Sequence, residues 1–405
     1  MYLTRTLKSA GRRAAVAGVV LATALASTGS PAQANPIDDL LAQAEGILAS
    51  AVPGQPLKIV VTTETSDAPK ISTVKASSNA DALQVILAAL EKPSTIGVDM
   101  AHPISIDVSN DRYRSSQWAL TLFGAETLWK KSTGKSVVVA VVDTGVSARH
   151  PDLYGRVLAG YDFVSPGRSV ADGNGHGTHV AGIIAATARN GIGIAGLAYQ
   201  AKILPVRVLN NNGEGDTAGV ARGIIWAARH GANVINLSLG SAANDSAIQT
   251  AVSYAQSRNV VVVAAAGNEG CGLFGSPTEY PAAYSGVLGV GAISSDRRIA
   301  SYSSCGNWVD VVAPGSGILS TMIASSNAGL GCTRGSLYCM LSGTSMATPY
   351  AAATAALEIA RLNRSYRQSS IVSRLQSTAT DQGASGRDNN YGNGLINPSR
   401  LLSGR

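Results

Sequence analysis

Long apolar runs, clustered charges and paired cysteines are scarce in this chain. The apolar run near its start, residues 14–26, is well short of the roughly 20 residues that a membrane-spanning helix needs. The lysines and arginines are scattered, which disfavours a nucleic-acid-binding protein. None of the four cysteines forms the C-x-x-C pair typical of zinc sites. What remains is a chain of 405 residues, 14% of them charged, with room for one large α/β domain and small appendages.

The first 34 residues have the pattern of a secretory signal peptide. Residues 14–26 form its apolar region, and residues 32–34 (AQA) form a small-residue cleavage signal. The basic region before them consists of Arg5, Lys8, Arg12 and Arg13. A membrane anchor is the alternative, but the apolar run is too short for one. We therefore expect a secreted, extracellular protein without membrane attachment once residues 1–34 are removed.

The next segment, residues 35–105, differs from the rest in charge. It has eight acidic residues against four lysines, whereas residues 106–405 carry a net charge of +7. Its pattern predicts a small α+β unit with a strand at residues 57–63, a helix at 80–90 and a strand at 96–104. Opposite charge would help it associate with the basic body. Its position after the signal predicts an inhibitory or folding pro-segment.

The four cysteines all lie in predicted loops of the basic body. With an export signal present, their even number favours disulfide bonds over metal binding. Three pairings are possible from the sequence. We favour Cys332 with Cys339 as a local staple, which leaves Cys271 to pair with Cys305.

The body alternates apolar strands with helical segments, which predicts a doubly wound parallel α/β sheet with helices on both faces. The strands are predicted at residues 137–142, 203–209, 234–239, 260–265 and 287–292. The helices are predicted at residues 178–187, 217–230, 245–258 and 345–361. Ligands of such sheets bind beyond the carboxyl ends of the strands. Asp143, Ser238 and Asn268 each follow a strand, so they should gather at that edge.

Three short segments carry groups for nucleophilic catalysis. Residues 342–349 (SGTSMATP) place Ser345 where a loop becomes an alanine-rich helix, with free N–H groups and the positive end of the helix dipole beside it. Residues 141–145 (VVDTG) supply the carboxylate of Asp143, and residues 175–182 (GHGTHVAG) supply an imidazole. The order Asp, His, Ser is informative, because other serine hydrolases carry these groups in other orders.

Together these segments resemble those of the subtilisin-like serine proteases, the subtilases. The resemblance covers residues 110–402 and includes three further segments, residues 236–240, 264–270 and 391–398. It implies that Ser345 is the nucleophile, that His176 is its base and that Asp143 orients His176. Asn268 would stabilise the oxyanion together with the Ser345 N–H. By the same resemblance, His179 packs or hydrogen-bonds locally and is not the catalytic histidine.

The resemblance also implies a cleft that binds an extended peptide as an added strand. Its backbone stretches are Ser238, Leu239, Gly240 and Ala265, Ala266, Gly267. The spacing from Asn268 places Glu279 at the base of the S1 pocket and Glu269 near its rim. The hypothesis that follows is tolerance of, or preference for, Lys or Arg at P1.

Calcium is the cofactor that the resemblance implies. The expected side-chain ligands are Asp111, Asp152 and Asn190, and the expected carbonyl ligands are those of Thr187, Ile192 and Ile194. Oxygen ligands from separate segments suit calcium. Arg189 is a departure, because its positive charge lies beside this loop.

The leading interpretation is a secreted serine endopeptidase that acts on proteins or peptides, and that is made as a precursor and processes itself near residues 103–112. We expect a monomer whose other partner is its own pro-segment. Alternatives are a dedicated maturation protease and, less favoured because the catalytic set is intact, a non-catalytic binding module. A lipase-type hydrolase is disfavoured, because Ser345 lacks the G-x-S-x-G pattern.

Overall fold

The computed structural model describes residues 36–51, 56–66, 68–100, 110–273, 275–325, 330–363 and 365–404. The chain divides into two compact units, Met1–Ile106 and Asp107–Arg405. The expected signal peptide lies outside the described residues. Within the described ranges, no helix is long and apolar enough to cross a membrane.

The first unit is a three-stranded antiparallel sheet with two helices, and the strand order is β2-β1-β3. Its elements are α1 (Pro36–Ala49), β1 (Lys58–Thr63), β2 (Lys70–Lys75), α2 (Asn79–Leu90) and β3 (Thr95–Met100). Ser78 begins α2 by accepting the Asp81 N–H at 3.1 Å. Ile59 and Ile86 are fully buried in a small core. The expected strand at residues 96–104 forms at Thr95–Met100, and residues 101–104 lie outside the described part.

The second unit is built on a seven-stranded parallel sheet with the order β10-β9-β8-β7-β4-β6-β5. These strands are β4 (Val138–Asp143), β5 (Tyr161–Asp162), β6 (Lys202–Arg207), β7 (Val234–Leu237), β8 (Val261–Ala265), β9 (Leu288–Ile293) and β10 (Val311–Pro314). β7, β8 and β9 are buried along their whole length, as continuous apolar sequence predicts for strands covered on both faces. The doubly wound parallel sheet is confirmed.

The helices of this unit are α3 (Trp118–Phe123), α4 (Ala125–Leu128), α5 (His176–Ala185), α6 (Thr217–Arg229), α7 (Ser246–Ser257), α8 (Thr344–Arg361), α9 (Gln368–Ser377) and α10 (Pro398–Leu401). A separate antiparallel pair, β11 (Ile318–Thr321) and β12 (Tyr338–Leu341), leads into α8. Asp216 and Asp245 begin α6 and α7 by accepting first-turn N–H groups.

The strand order changes direction between β4 and β7. From β4 the chain adds β6 and β5 on one side, and β7 through β10 on the other. In open parallel sheets, ligands bind at such a switch point, beyond the carboxyl ends of the strands. Asp143 ends β4, and Ser238 immediately follows β7. The topology therefore places the candidate site between these two residues.

Candidate active site

Asp143 and His176 form the first contact at this edge. His176 is the first residue of α5, and its Nδ1 lies 2.9 Å from both carboxylate oxygens of Asp143. Asp143 is fully buried, and its Oδ1 also accepts the Thr144 N–H at 2.7 Å. These bonds fix the carboxylate and orient the imidazole so that Nε2 points away from Asp143.

The same contact sets the protonation behaviour of His176. Burial disfavours the charged imidazolium, but the negative charge of Asp143, its hydrogen bond and the charge of Asp172 together outweigh burial and raise the pKa. The neutral ring can accept a proton, and the resulting cation is stabilised in place. This is the behaviour required of a general base that later acts as an acid.

Asp172 organises the loop that leads to His176, and the sequence interpretation missed it. Its Oδ1 accepts the Thr144 hydroxyl at 2.9 Å and the N–H groups of Asn174 and Gly175 at 2.9 and 2.8 Å. Its Oδ2 accepts the N–H and hydroxyl of Thr178 at 2.9 and 2.7 Å. The sequence signal for this role was an aspartate a few residues before the start of a helix.

Ser345 is the second residue of α8, and it exchanges hydrogen bonds with Ser238. The Ser345 hydroxyl donates to the Ser238 carbonyl at 3.1 Å, and the Ser238 hydroxyl donates to the Ser345 carbonyl at 2.8 Å. Pro349 explains the second bond, because it has no N–H to occupy the Ser345 carbonyl within the helix. His176 and Ser345 line one cavity. The Ser345 hydroxyl is thus bonded to Ser238 and makes no hydrogen bond to His176 within the described structure.

Asn268 follows β8 and is anchored by the start of α8. Its Oδ1 accepts the Thr344 N–H at 2.8 Å and the Thr344 hydroxyl at 3.1 Å. With the oxygen held, the Nδ2 amide has no hydrogen-bond partner among the described residues. The Asn268 side chain lines the same cavity as Ser345. The Ser345 N–H belongs to the first turn of α8, where N–H groups have no partner within the helix. Two donors thus border one cavity at the helix start.

His179 has a different environment from His176. It is fully buried, and its Nε2 lies 3.1 Å from the Ile318 carbonyl and 3.0 Å from the Cys339 carbonyl. Burial is the main reason that its pKa falls to about 3, so the ring stays neutral at physiological pH. Its position suits a packing role between α5 and the β11–β12 pair.

Comparison with known proteins places this geometry in a family. The sequence model described as the subtilase family, Peptidase_S8, matches residues 134–394. The chain belongs to the subtilase family. It is 44% identical to thermitase from Thermoactinomyces vulgaris over 72% of this chain and 98% of that protein. It is 42% identical to Subtilisin Savinase from Lederbergia lenta over 70% of this chain and 97% of that protein. A solved protease from Pseudoalteromonas arctica PAMC 21717 is 32% identical, with a TM-score of 0.65 over 73% of this chain and 99% of that one.

This subtilase is a serine endopeptidase.

A cleft beside His176 has a volume of about 580 Å³. Residues 238–240 line the cleft, and the backbone groups of Leu239 and Gly240 are unpaired within the described structure. Residues 213–215 also line it, and the sequence interpretation missed them. Unpaired backbone groups in such a cleft can pair with an added peptide strand.

In the stretch at residues 265–267, three backbone groups are already bonded within the protein. The Ala266 N–H donates to the Val290 carbonyl at 3.0 Å, and the Gly267 carbonyl accepts the Ser304 N–H at 3.0 Å. The Ala266 carbonyl accepts the indole N–H of Trp308 at 3.0 Å. These three groups are therefore not free to pair with a substrate, and Gly267 borders the Glu279 side chain.

The disulfides are Cys271 with Cys305 and Cys332 with Cys339, which confirms the favoured pairing. The first lies three residues beyond Asn268. Next to it, Ser304 accepts the Glu269 N–H at 3.1 Å. The bridge and this hydrogen bond hold the loop after β8 against residues 301–305.

The expected calcium ligands come together in one cluster. Asp152 is fully buried, and its carboxylate accepts the Asn190 amide and the Ile194 N–H, both at 2.9 Å. Burial is the main reason that its pKa is raised. Asp111 accepts the N–H groups of Arg189 and Asn190, both at 2.9 Å.

The chemistry of this cluster fits a hard cation. Among the described residues, no lysine or arginine forms an ion pair with Asp152, and no carbonyl of Thr187, Ile192 or Ile194 accepts a hydrogen bond. A buried carboxylate and unpaired carbonyl oxygens are the ligand types of calcium. The described part contains no group of three or more His, Cys, Asp or Glu side chains that could hold a metal. A metal here would therefore need carbonyl and amide oxygens in addition to the two carboxylates.

Proposed function

We propose that Asp143, His176 and Ser345 are the catalytic triad of this endopeptidase and that Asn268 is its oxyanion donor. The observation that carries the proposal is the convergence at one edge: Nδ1 of His176 contacts Asp143, and His176, Asn268 and Ser345 line one cavity. The family membership supports the same assignment.

The first half-reaction forms an acyl-enzyme. Ser345 Oγ attacks the carbonyl carbon of the scissile peptide bond while Nε2 of His176 takes the hydroxyl proton. The carbonyl oxygen becomes negative and accepts hydrogen bonds from the Ser345 N–H and from Nδ2 of Asn268. His176 then gives its proton to the leaving nitrogen, the C–N bond breaks, and the acyl group remains on Ser345.

The second half-reaction repeats these steps with water. Nε2 of His176 takes a proton from water, whose oxygen attacks the acyl carbon. The bond to Ser345 breaks as Oγ regains a proton from His176, which releases the carboxylic acid product. Substrate is held for both steps as an extended strand along residues 238–240, where the backbone groups of Leu239 and Gly240 are unpaired within the described structure.

Calcium is proposed as a structural ion. The side chains that would hold it are Asp111, Asp152 and Asn190, together with the carbonyl oxygens of Thr187, Ile192 and Ile194. When bound, the ion supplies positive charge that stabilises the buried Asp152 carboxylate and links separate chain segments. No catalytic step involves it.

The precursor organisation is also a proposal. Residues 1–34 would direct secretion, residues 35–105 would be a pro-segment that binds its own protease, and residues 106–405 would be the catalytic domain, active as a monomer. The first unit supports this with a core of its own and with apolar side chains that remain exposed, Ile71 at 70% and Ile96 at 55%. Exposed apolar surface on a small unit is typical of a binding surface.

Self-processing is tested by expressing the full chain and its Ser345→Ala variant in a host that lacks secreted proteases. Intact mass of the secreted product is the measurement. The wild type should lose the residues up to about the start of the catalytic domain, whereas Ser345→Ala should keep its pro-segment. Ser253→Ala is the matched control, because Ser253 is exposed on α7. Normal processing of Ser345→Ala would contradict self-cleavage.

A further inference from the structure

Asn236 is a polar residue in the middle of an otherwise apolar strand. It belongs to β7, whose four residues are all buried, and it pairs with Val141 on β4 and with Val263 on β8. The Asn236 side chain has no exposed surface. A buried amide costs stability unless its polar atoms are hydrogen-bonded. The bonds that this amide makes should therefore show why it is there.

The two polar atoms of the Asn236 amide are in different situations. Nδ2 donates to the Ser238 hydroxyl oxygen at 2.9 Å, whereas Oδ1 is buried and has no hydrogen-bond partner among the described residues. An apolar residue of similar size would remove the buried unpaired oxygen, so packing alone disfavours asparagine here. Within the described structure, the side-chain bond that sets Asn236 apart from such a residue is the one to Ser238.

The bond to Ser238 continues to the start of α8. The Ser238 hydroxyl donates its one proton to the Ser345 carbonyl at 2.8 Å, so it can only accept from Asn236. The hydrogen bonds therefore run in one direction, from the Asn236 amide to the Ser238 hydroxyl and on to the Ser345 carbonyl. Successive hydrogen bonds of this kind polarise and strengthen one another. Pro349 leaves the Ser345 carbonyl without a helical partner, so this chain of bonds joins the first turn of α8 to the end of β7.

We infer that Asn236 is a positioning residue for the nucleophile: its amide directs the Ser238 hydroxyl to the Ser345 carbonyl and so fixes where Ser345 stands in the cleft. This inference rests on the proposed catalytic role of Ser345. The chain of bonds ends on the carbonyl oxygen and does not involve Oγ, so it can persist while Oγ attacks a substrate. Asn236 lines neither of the two cavities that contain His176, so it acts through Ser238 and not on the substrate.

The test is a double-mutant cycle with Asn236→Leu, Ser238→Ala and the double variant, all made from the full chain. The values of kcat and KM are measured for one peptide amide, and active enzyme is counted by titration with a sulfonyl fluoride. Asn236→Leu should lower kcat roughly tenfold and change KM by less than about twofold. In the Ser238→Ala background the same change should alter kcat by less than about twofold, because the hydroxyl that Asn236 directs is gone.

Asn233→Leu is the matched control. Asn233 is also buried, it immediately precedes β7, and its Oδ1 accepts the Val138 N–H at 3.0 Å. Losing that bond should lower the melting temperature and leave kcat of the folded enzyme within about twofold of the wild type. Asn236→Leu should lower kcat without a comparable loss of melting temperature, because a buried unpaired oxygen is removed.

Asn236→Val repeats the cycle with a β-branched residue that suits a buried strand, so a folding defect in one variant does not decide the result. Two results would overturn the inference: an unchanged kcat in Asn236→Leu and Asn236→Val, or a loss of kcat that is as large in the Ser238→Ala background as in the wild type. Failure of the proposed function is distinct from both. If Ser345→Ala cleaved the peptide, the catalytic assignment would be wrong. If cleavage required Ser345 while both Asn236 variants kept full kcat, the positioning role alone would be wrong.

Discussion

Two carboxylates at the same edge of the sheet are held in opposite ways. Asp143 is fully buried and accepts hydrogen bonds from the Thr144 N–H and from His176. Glu279 is half-buried, and its carboxylate has no partner among the described residues. The first is fixed in one orientation, whereas the second gains and loses a proton near neutral pH. The hypothesis of a basic P1 preference thus depends on a carboxylate that the described residues do not hold in place, unlike Asp143.

This comparison predicts a division of effects. Consider two peptides that differ only in lysine or norleucine at P1. Changes at the Asp143 end should lower kcat/KM for both peptides by the same factor. Changes at the Glu279 end should alter the ratio between them.

Asp143→Asn should lower kcat by roughly 10⁴-fold for both peptides, because the amide cannot hold the required tautomer of His176. Burial lowers the pKa of His176 and Asp143 raises it, so the variant should also shift the acid limb of the residual activity to lower pH. Steady-state kinetics from pH 5 to pH 9, as rough limits, provide the measurement. A changed lysine-to-norleucine ratio at high pH would contradict the expected division of effects between Asp143 and Glu279.

Asn268→Ala should lower kcat by roughly 10² to 10³-fold for both peptides, because one oxyanion donor is lost. KM should change little, since the donor acts mainly in the transition state. Asn390→Ala, which removes an exposed amide, is the control. A loss confined to KM would argue that Asn268 binds substrate and does not stabilise the oxyanion.

Calcium removal should affect stability and leave selectivity unchanged. Chelation should lower the melting temperature of the wild type by roughly 5 °C, because an ion that binds the folded state stabilises it. Asp152→Asn should melt at a lower temperature and respond less to chelation. An equal melting temperature with and without chelator in the wild type would contradict the proposed site. A changed P1 ratio would show that the two regions are coupled.

The main sheet was predictable because its strands are nearly continuous apolar runs, such as Val261–Ala265. Helix ends were less predictable. The expected helix at residues 178–187 forms at His176–Ala185, because glycines on either side of His176 resemble a loop in sequence. The strand Lys70–Lys75 was missed, since its residues are all exposed and show no apolar pattern. The β11–β12 pair was missed because each strand has only four residues.

The site was predictable to the extent that single residues carry its chemistry. Sequence motifs identified Asp143, His176 and Ser345 as a set, and the structure brings them to one edge of the sheet. The interactions between them were not accessible in the same way. The hydrogen bonds of Asp172 and the anchoring of Asn268 by Thr344 depend on chain segments that fold together from distant positions. The contribution of residues 213–215 to the cleft was missed because it comes from backbone geometry, which leaves little sequence pattern.

The proline in α8 leaves the start of this helix bonded to the edge of the cleft. Because Pro349 has no N–H to occupy the Ser345 carbonyl, this carbonyl is free to bond to Ser238. Ser345 and residues 238–240 are therefore joined by two reciprocal hydrogen bonds. In the proposed mechanism, a peptide paired with residues 238–240 therefore lies one bonded junction away from Ser345. We expect substitutions that loosen this junction to disturb the alignment of Ser345 with the scissile bond.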